Sequence, residues 1–160
     1  MTSFRGAWAG FSNFAPCPLT IGGITYPTVE HAFVAAKTND VTIRRQVAAM
    51  LTPSAAKKFG RTITLRPDWD EKKLVIMERL CRLKFTQNAQ YHSLLLSTGD
   101  QEIVEENEWH DTFWGVCRGI GENYLGKILM KIRSELKAPL WNGRQIEDEA
   151  DDSTLPQLRP

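Results

Sequence analysis

The chain has 160 residues, with 20 Lys and Arg against 19 Asp and Glu, for a formal net charge of +1. That length is enough to bury a core and reads as one domain. The hydrophobic fraction of 42% and charged fraction of 24% are those of a globular protein, and so small a charge excludes the basic footprint of a dedicated nucleic-acid binder.

In chain order, GFSNFAPCPLTIGGITYP reads as extended, with Leu19 and Ile21 before Gly22-Gly23 and Ile24 and Tyr26 after it. This pattern predicts a two-residue hairpin turn. Pro27 ends the strand and Thr28 is the expected N-cap of a helix over VEHAFVAAK. A second helix is expected over about VTIRRQVAAM, and a third from Thr52-Pro53 to Gly60. RTITLRP reads as a short strand or extended link, and Asp68 or Asp70 opens the longest helical pattern, to about Asn88. YHSLLLST, closed by Gly99, is the next helix, QEIVEEN a short strand candidate, and EWHDTFWGVCRGIGEN a long aromatic loop of the kind that often carries function. The last helix is NYLGKILMKIRSELK, with Leu125, Ile128, Leu129, Ile132 and Leu136 at helical spacing. Residues 138–160 hold Arg144 and Arg159 against Glu147, Asp148, Glu149, Asp151 and Asp152, a net −3 that leaves +4 on the other 137 residues. They are read as a flexible acidic tail, so the mildly basic body suits an anionic small molecule.

Cys17, Cys81 and Cys117 are odd in number and lack a CxxC spacing, which points to neither a disulfide framework nor a zinc ribbon. No stretch has the apolar length of a membrane helix and MTSFRGAWAG lacks a signal-peptide core, so the expected setting is a reducing cytoplasm, with no membrane partner.

Lys84 is the most informative position. On a helical wheel it falls in the middle of the arc set by Ile76, Met77, Leu80 and Leu83. It either snorkels from the end of the core stripe, as Lys73 near the helix start would, or is held at a pocket floor, where desolvation frees its amine as nucleophile or base. Asn88, four residues on, either holds a polar substrate edge or caps a helix. Glu30, Phe33, Val34 and Lys37 share a stripe, with Glu30 and Lys37 roughly 10 Å apart along the axis. Glu30 either favours the helix dipole or aims a carboxylate at a pocket. With three histidines and no HExxH, a metal site is not expected. Asp111 orients His110, stabilises a cationic transition state, or caps a turn; Trp69 and Trp114 stack on a heterocycle or pack the core. GIGENYLG places glycines and Asn123 at a helix start, which is either an anion site or a capped turn.

Taken together, FSNFAP, YPTVEHAFVAAK, AAKKFGR, LRPDWD, LKFTQN, LLLSTGDQEIVE, DTFWG and GENYLGKILMKIR stand in the order of the NADAR superfamily, the YbiA-like proteins. The resemblance runs from about Phe4 to Leu136. It implies a largely helical α+β fold, a compact single domain over 1–137 with a small hairpin, and hydrolysis of N-glycosidic bonds between a ribosyl and an amino group without a cofactor. Two substrate classes follow: phosphoribosyl aminopyrimidines of the riboflavin pathway, and ADP-ribosylated guanine in nucleic acid. The resemblance places catalytic roles on Glu30, Lys84 and Asp111. It places substrate contacts on Ser12, Asn13, Arg61, Trp69 and Asn123, and the residues themselves add Lys37, Asn88, Trp114, Gly115 and Arg118 as candidate contacts. Ala32, Val34 and the VCRGIG loop depart from the family pattern where substrate is read, and Arg118 would favour an extra phosphate, as in ADP-ribose. Two routes fit: a carboxylate pair around an oxocarbenium-like centre, or attack by Lys84 on C1 to form an imine. The second is favoured by the central place of Lys84. The alternative from another class is a non-catalytic module that binds ADP-ribose or a modified nucleotide.

Overall fold

A computed structural model describes residues 4–138; the acidic tail lies, from residue 139 on, outside the described residues. The described chain forms two units, one built from residues 13–84 and the other from residues 4–12 and 85–138.

In the 13–84 unit, β1 (Leu19–Ile21) pairs antiparallel with β2 (Ile24–Tyr26), Ile21 opposite Ile24 and Leu19 opposite Tyr26. Gly22 and Gly23 take φ of 55° and 73°, the left-handed pair that a primed hairpin turn demands. The hairpin buries alternate residues. Pro27 and Thr28 then turn the chain into α1 (Val29–Ala35), where the Thr28 hydroxyl accepts from the His31 amide at 3.3 Å. All seven residues of α1 are buried, because α2 (Val41–Ala48) and α3 (Pro53–Phe59) pack on it.

Each flanking helix has its own cap. The Asp40 carboxylate takes the Thr42 and Ile43 amides, and the Thr52 hydroxyl takes Ala55. Pro53 opens α3, where its missing N–H has no helical partner to lose. Gly60 ends α3 against Val34, so close that a Cβ would stand 2.9 Å from Val34 Cγ1. RTITLRP forms no strand. It is a link pinned by the Arg66 amide on the Lys37 carbonyl at 2.7 Å and by a two-pronged Arg66–Asp68 ion pair. Then α4 (Trp69–Gln87) buries Trp69, Ile76, Met77, Leu80, Cys81 and Lys84 along one stripe. The two units divide within α4, after Lys84.

In the other unit, a 3-10 turn (Gly6–Phe11) sets Phe11 against Phe85 and stacks Trp8 on Phe11. Asn88 caps α5 (Ala89–Ser97) through its side-chain oxygen. QEIVEEN supplies only the two-residue β3 (Glu106–Asn107), parallel to β4 (Val116–Cys117). α6 (Tyr124–Lys137) buries Leu125, Ile128, Leu129, Ile132 and Leu136, the expected face. Buried Arg133 clips α6 to the segment after α5, donating to Thr98 Oγ1 and the Gln101 carbonyl at 2.7 Å each. No helix among the described residues is long and apolar enough to cross a membrane.

Candidate active site

Lys84 completes the buried stripe of α4 and is 0% exposed. Of the two readings open to it in the sequence, snorkelling is therefore ruled out. Lys73, on the same arc, does reach solvent and pairs with Asp70 at 2.8 Å. Burial lowers the Lys84 amine from its ordinary 10.5 to about 8, a shift that the neighbouring Cys81 and Cys17 oppose. At pH 7 about a tenth of such an amine is uncharged, against roughly 0.03% at the ordinary value. Desolvation pushes the Cys17 thiol up in turn, so both partners favour neutral forms in this enclosure.

Asn13 links this stretch to the start of α1. Its carbonyl accepts the Glu30 amide at 3.0 Å, while its side chain donates to Met77 Sδ at 3.3 Å and faces Cys81 Sγ at 4.0 Å. Glu30, 8% exposed, sits in the first turn of α1, where the helix dipole favours a carboxylate. Its charge bears on Lys37, half-buried one residue past the C-cap of α1. The Lys37 ammonium donates to the Gly60 carbonyl at 3.1 Å and lies 5.9 Å from the Trp69 ring centre. Desolvation lowers its pKa, Glu30 opposes that shift, and Lys57 and Arg61 add to it. Trp69 itself is largely enclosed, tilted against Phe33 with ring centres 5.0 Å apart, so it forms wall rather than an open stacking platform. His31 takes no part in a metal site. Its Nδ1 meets Thr28 Oγ1 at 2.8 Å and its Nε2 meets the Met50 carbonyl at 3.1 Å, which requires the proton on Nε2. Among the described residues no His, Cys, Asp and Glu side chains gather in a group able to hold a metal ion.

Ser12 and the remaining expected residues belong to the other unit. Ser12 closes the 3-10 turn, its amide on the Ala9 carbonyl. Asn88 works as a helix cap, accepting from Gln90 and Tyr91. Asp111 Oδ1 accepts the Phe113 and Trp114 amides at 3.1 and 2.9 Å, an Asx turn that shapes the FWG segment. Asn107 braces that turn from both sides, donating to the Asp111 carbonyl and accepting its amide. Trp114 is half-buried, edge-on to Phe113. Gly115 is required by close approach, since a Cβ there would overlap the Glu105 carbonyl. Arg118 stands exposed at a turn tip with φ of 52°, followed by Gly119 at 80°.

The start of α6 differs from the anion site its sequence suggests. The Asn123, Tyr124 and Leu125 amides already donate to the carbonyls of Gly115, Phe113 and Trp114. The Asn123 side chain bridges the Glu105 amide and the Ile103 carbonyl, and its backbone is left-handed at φ 53°. These groups fasten the FWG loop and the 103–105 segment to the helix. Sequence reasoning overlooked Lys57 and Phe14, whose ammonium and ring centre are 5.6 Å apart. The signal was present as Lys57 and Arg61, four residues apart in KKFGR.

A family model described as the NADAR domain matches residues 3–137. The chain belongs to the NADAR domain family. Among NADAR relatives, it is 38% identical to "N-glycosidase YbiA" of Escherichia coli (strain K12) over 132 residues, covering 81% of this chain and 82% of that protein. It is 40% identical to "N-glycosidase Npun_R5314" of Nostoc punctiforme, covering 79% and 85%. The NMR structure of E. coli YbiA superposes with a TM-score of 0.75 at 36% identity, over 84% of this chain and 83% of that one. A longer relative, "Riboflavin biosynthesis protein VVA0006" of Vibrio vulnificus, is 36% identical over 79% of this chain, which matches 35% of its length. The NADAR match spans every candidate residue from Ser12 to Asn123. Its mostly helical α+β fold is the expected one.

Proposed function

We propose that this hydrolase of N-glycosyl bonds releases ribose 5-phosphate from a phosphoribosylated amino group of a pyrimidine, with Lys84 as the attacking amine. The fully buried, pKa-lowered Lys84 carries the reading. A structural lysine gains nothing from that enclosure, whereas a nucleophile needs the neutral amine it yields. The riboflavin-pathway name of the Vibrio relative supports the pyrimidine class.

In this mechanism the C1–O4 bond of the ribosyl ring breaks and the amino N–H proton passes to O4, which leaves C1 as an imine of the base nitrogen. The neutral Lys84 amine adds to C1, and the Glu30 carboxylate relays the two Lys84 N–H protons to the base nitrogen as the C1–N bond to the base breaks. Water then adds to the Lys84–C1 imine, Glu30 relays its protons to the Lys84 nitrogen, and the adduct collapses to the free sugar aldehyde and the Lys84 amine. Because Lys84 is enclosed, substrate reaches it by displacing side chains, which also keeps stray nucleophiles from the imine. A role for Asp111 as a second acid or base is part of the proposal, and Asn substitution separates it from turn formation.

The test is incubation of the purified protein with a ribosylaminopyrimidine phosphate and, separately, with DNA carrying ADP-ribosylated guanine. Release of ribose 5-phosphate from the first supports the reading. Cleavage of the second alone moves the substrate class to ADP-ribosyl guanine. Tight binding without sugar release from either makes the protein a reader rather than an enzyme.

A further inference from the structure

Lys37 reaches the Gly60 carbonyl, between Lys57 in the last turn of α3 and Arg61 just after its cap, and the Lys57 and Arg61 charges bear on Lys37 there together with the Glu30 carboxylate. The convergence is built into the packing. The close contact of Gly60 with Val34 seats the end of α3 on α1, which carries Lys57 and Arg61 toward Lys37. Lys37 is held by the Gly60 carbonyl at 3.1 Å and by the face of Trp69. Lys57 lies over Phe14, a ring that is 37% exposed.

One ordinary explanation is that cations gather at a helix C-terminus to complement its dipole. It accounts for Lys37, which donates to the carbonyl of Gly60, the C-cap of α3. It does not account for Lys57 and Arg61, because among the described residues neither has a carboxylate or carbonyl partner for its side chain. Half-buried Lys37 and Lys57, with Arg61 exposed beside them, leave a surplus of positive charge over the Glu30 carboxylate that bears on Lys37. Like charges held together without anions raise the energy of the empty site, and a dianion relieves it.

We propose that Lys37, Lys57 and Arg61 form the subsite for the phosphate on C5 of the ribosyl group, and that Phe14 makes its open edge. The proposal rests on the ribosyl reading above and deepens it. The stripe from Glu30 to Lys37 then runs from the reacting end of the sugar to its phosphorylated end, roughly 10 Å along the helix. The chemistry recognised is a phosphate ester on C5, whether a terminal monoester or the first phosphate of an ADP-ribosyl group.

Calorimetric titration of the full chain with ribose, ribose 5-phosphate and ADP-ribose tests this without requiring turnover. Ribose 5-phosphate should bind well above ribose and weaken with added salt. Lys57→Gln and Arg61→Gln should each weaken it about tenfold, the double variant about a hundredfold, and Lys57→Arg should restore most of the loss. A preference for ADP-ribose over ribose 5-phosphate would assign the phosphate to a diphosphate substrate, and equal or weaker binding would assign it to a monoester. Unchanged binding in the double variant, or ribose binding as well as its phosphate, overturns the subsite. Hydrolysis with normal KM in the double variant would sink the subsite and leave the enzyme reading intact. Trio-dependent binding without cleavage of any N-riboside would do the reverse.

Discussion

Replacing Lys84 with Met should make the protein inactive and more stable at once. The folded chain holds this amine at about 8 against an ordinary 10.5, and it is fully buried, so solvent screening does not reduce the effect. A shift of about 2.5 units corresponds to roughly 3 kcal/mol at about 1.4 kcal/mol per unit, the penalty of keeping the ammonium in place at neutral pH. Below pH 8 both folded and unfolded states are protonated and the full penalty stands. Between 8 and 10.5 the unfolded chain holds the extra proton, so wild-type stability from this group rises with pH. Met has a similar volume, adapts to core gaps and carries no charge. Urea unfolding of wild type and Lys84→Met at pH 7 should therefore differ by roughly 3 kcal/mol in favour of the variant, and by roughly 2–3 kcal/mol less at pH 10. The difference between the two proteins cancels the late titration of Tyr26, and a Cys17→Ala background removes the thiol that Lys84 acts on. A stability gap that does not change between pH 7 and pH 10, or a variant that is less stable than wild type, would refute the reasoning.

Three further outcomes follow from the local chemistry. Burial holds His31 neutral below its ordinary 6.5, so stability is fully present above pH 6.5 and is lost as pH falls below it. The His31→Gln variant should lose that dependence between pH 7 and pH 5 in thermal unfolding. In Asp111→Asn the side-chain oxygen that accepts Phe113 and Trp114 remains, so unfolding should move by under about 1 kcal/mol while kcat falls about 10²–10⁴-fold if the carboxylate transfers a proton. Parallel loss of activity and stability would make Asp111 only a turn-former. Gly126→Ala should cost about 2–4 kcal/mol in urea unfolding, because its Cβ would overlap the Ile103 carbonyl and the Asn123 side chain.

The features legible in the sequence are those set by nearest neighbours along the chain. The Gly22-Gly23 turn, the Thr28 and Thr52 caps, and the α6 face from Leu125 to Leu136 each follow from period and turn chemistry. Lys84 was legible for the same reason, since a lysine inside an apolar arc stands out on a wheel. What stayed hidden depends on distant carbonyls. RTITLRP reads equally as a short strand or an extended link, and the Lys37 carbonyl that pins the Arg66 amide decides for the link. The α6 start has the glycines of an anion site, yet the 113–115 carbonyls fill it. Lys57 was invisible because its importance comes from α3 lying on α1, a contact decided by Gly60 and Val34 rather than by any local pattern.

The most direct test of the central claim is reductive trapping. Borohydride added during turnover of a ribosylaminopyrimidine phosphate should leave the reduced sugar phosphate bound covalently to one peptide, with the mass shift on Lys84. Turnover with no covalent adduct, or an active Lys84→Arg variant, would contradict the account.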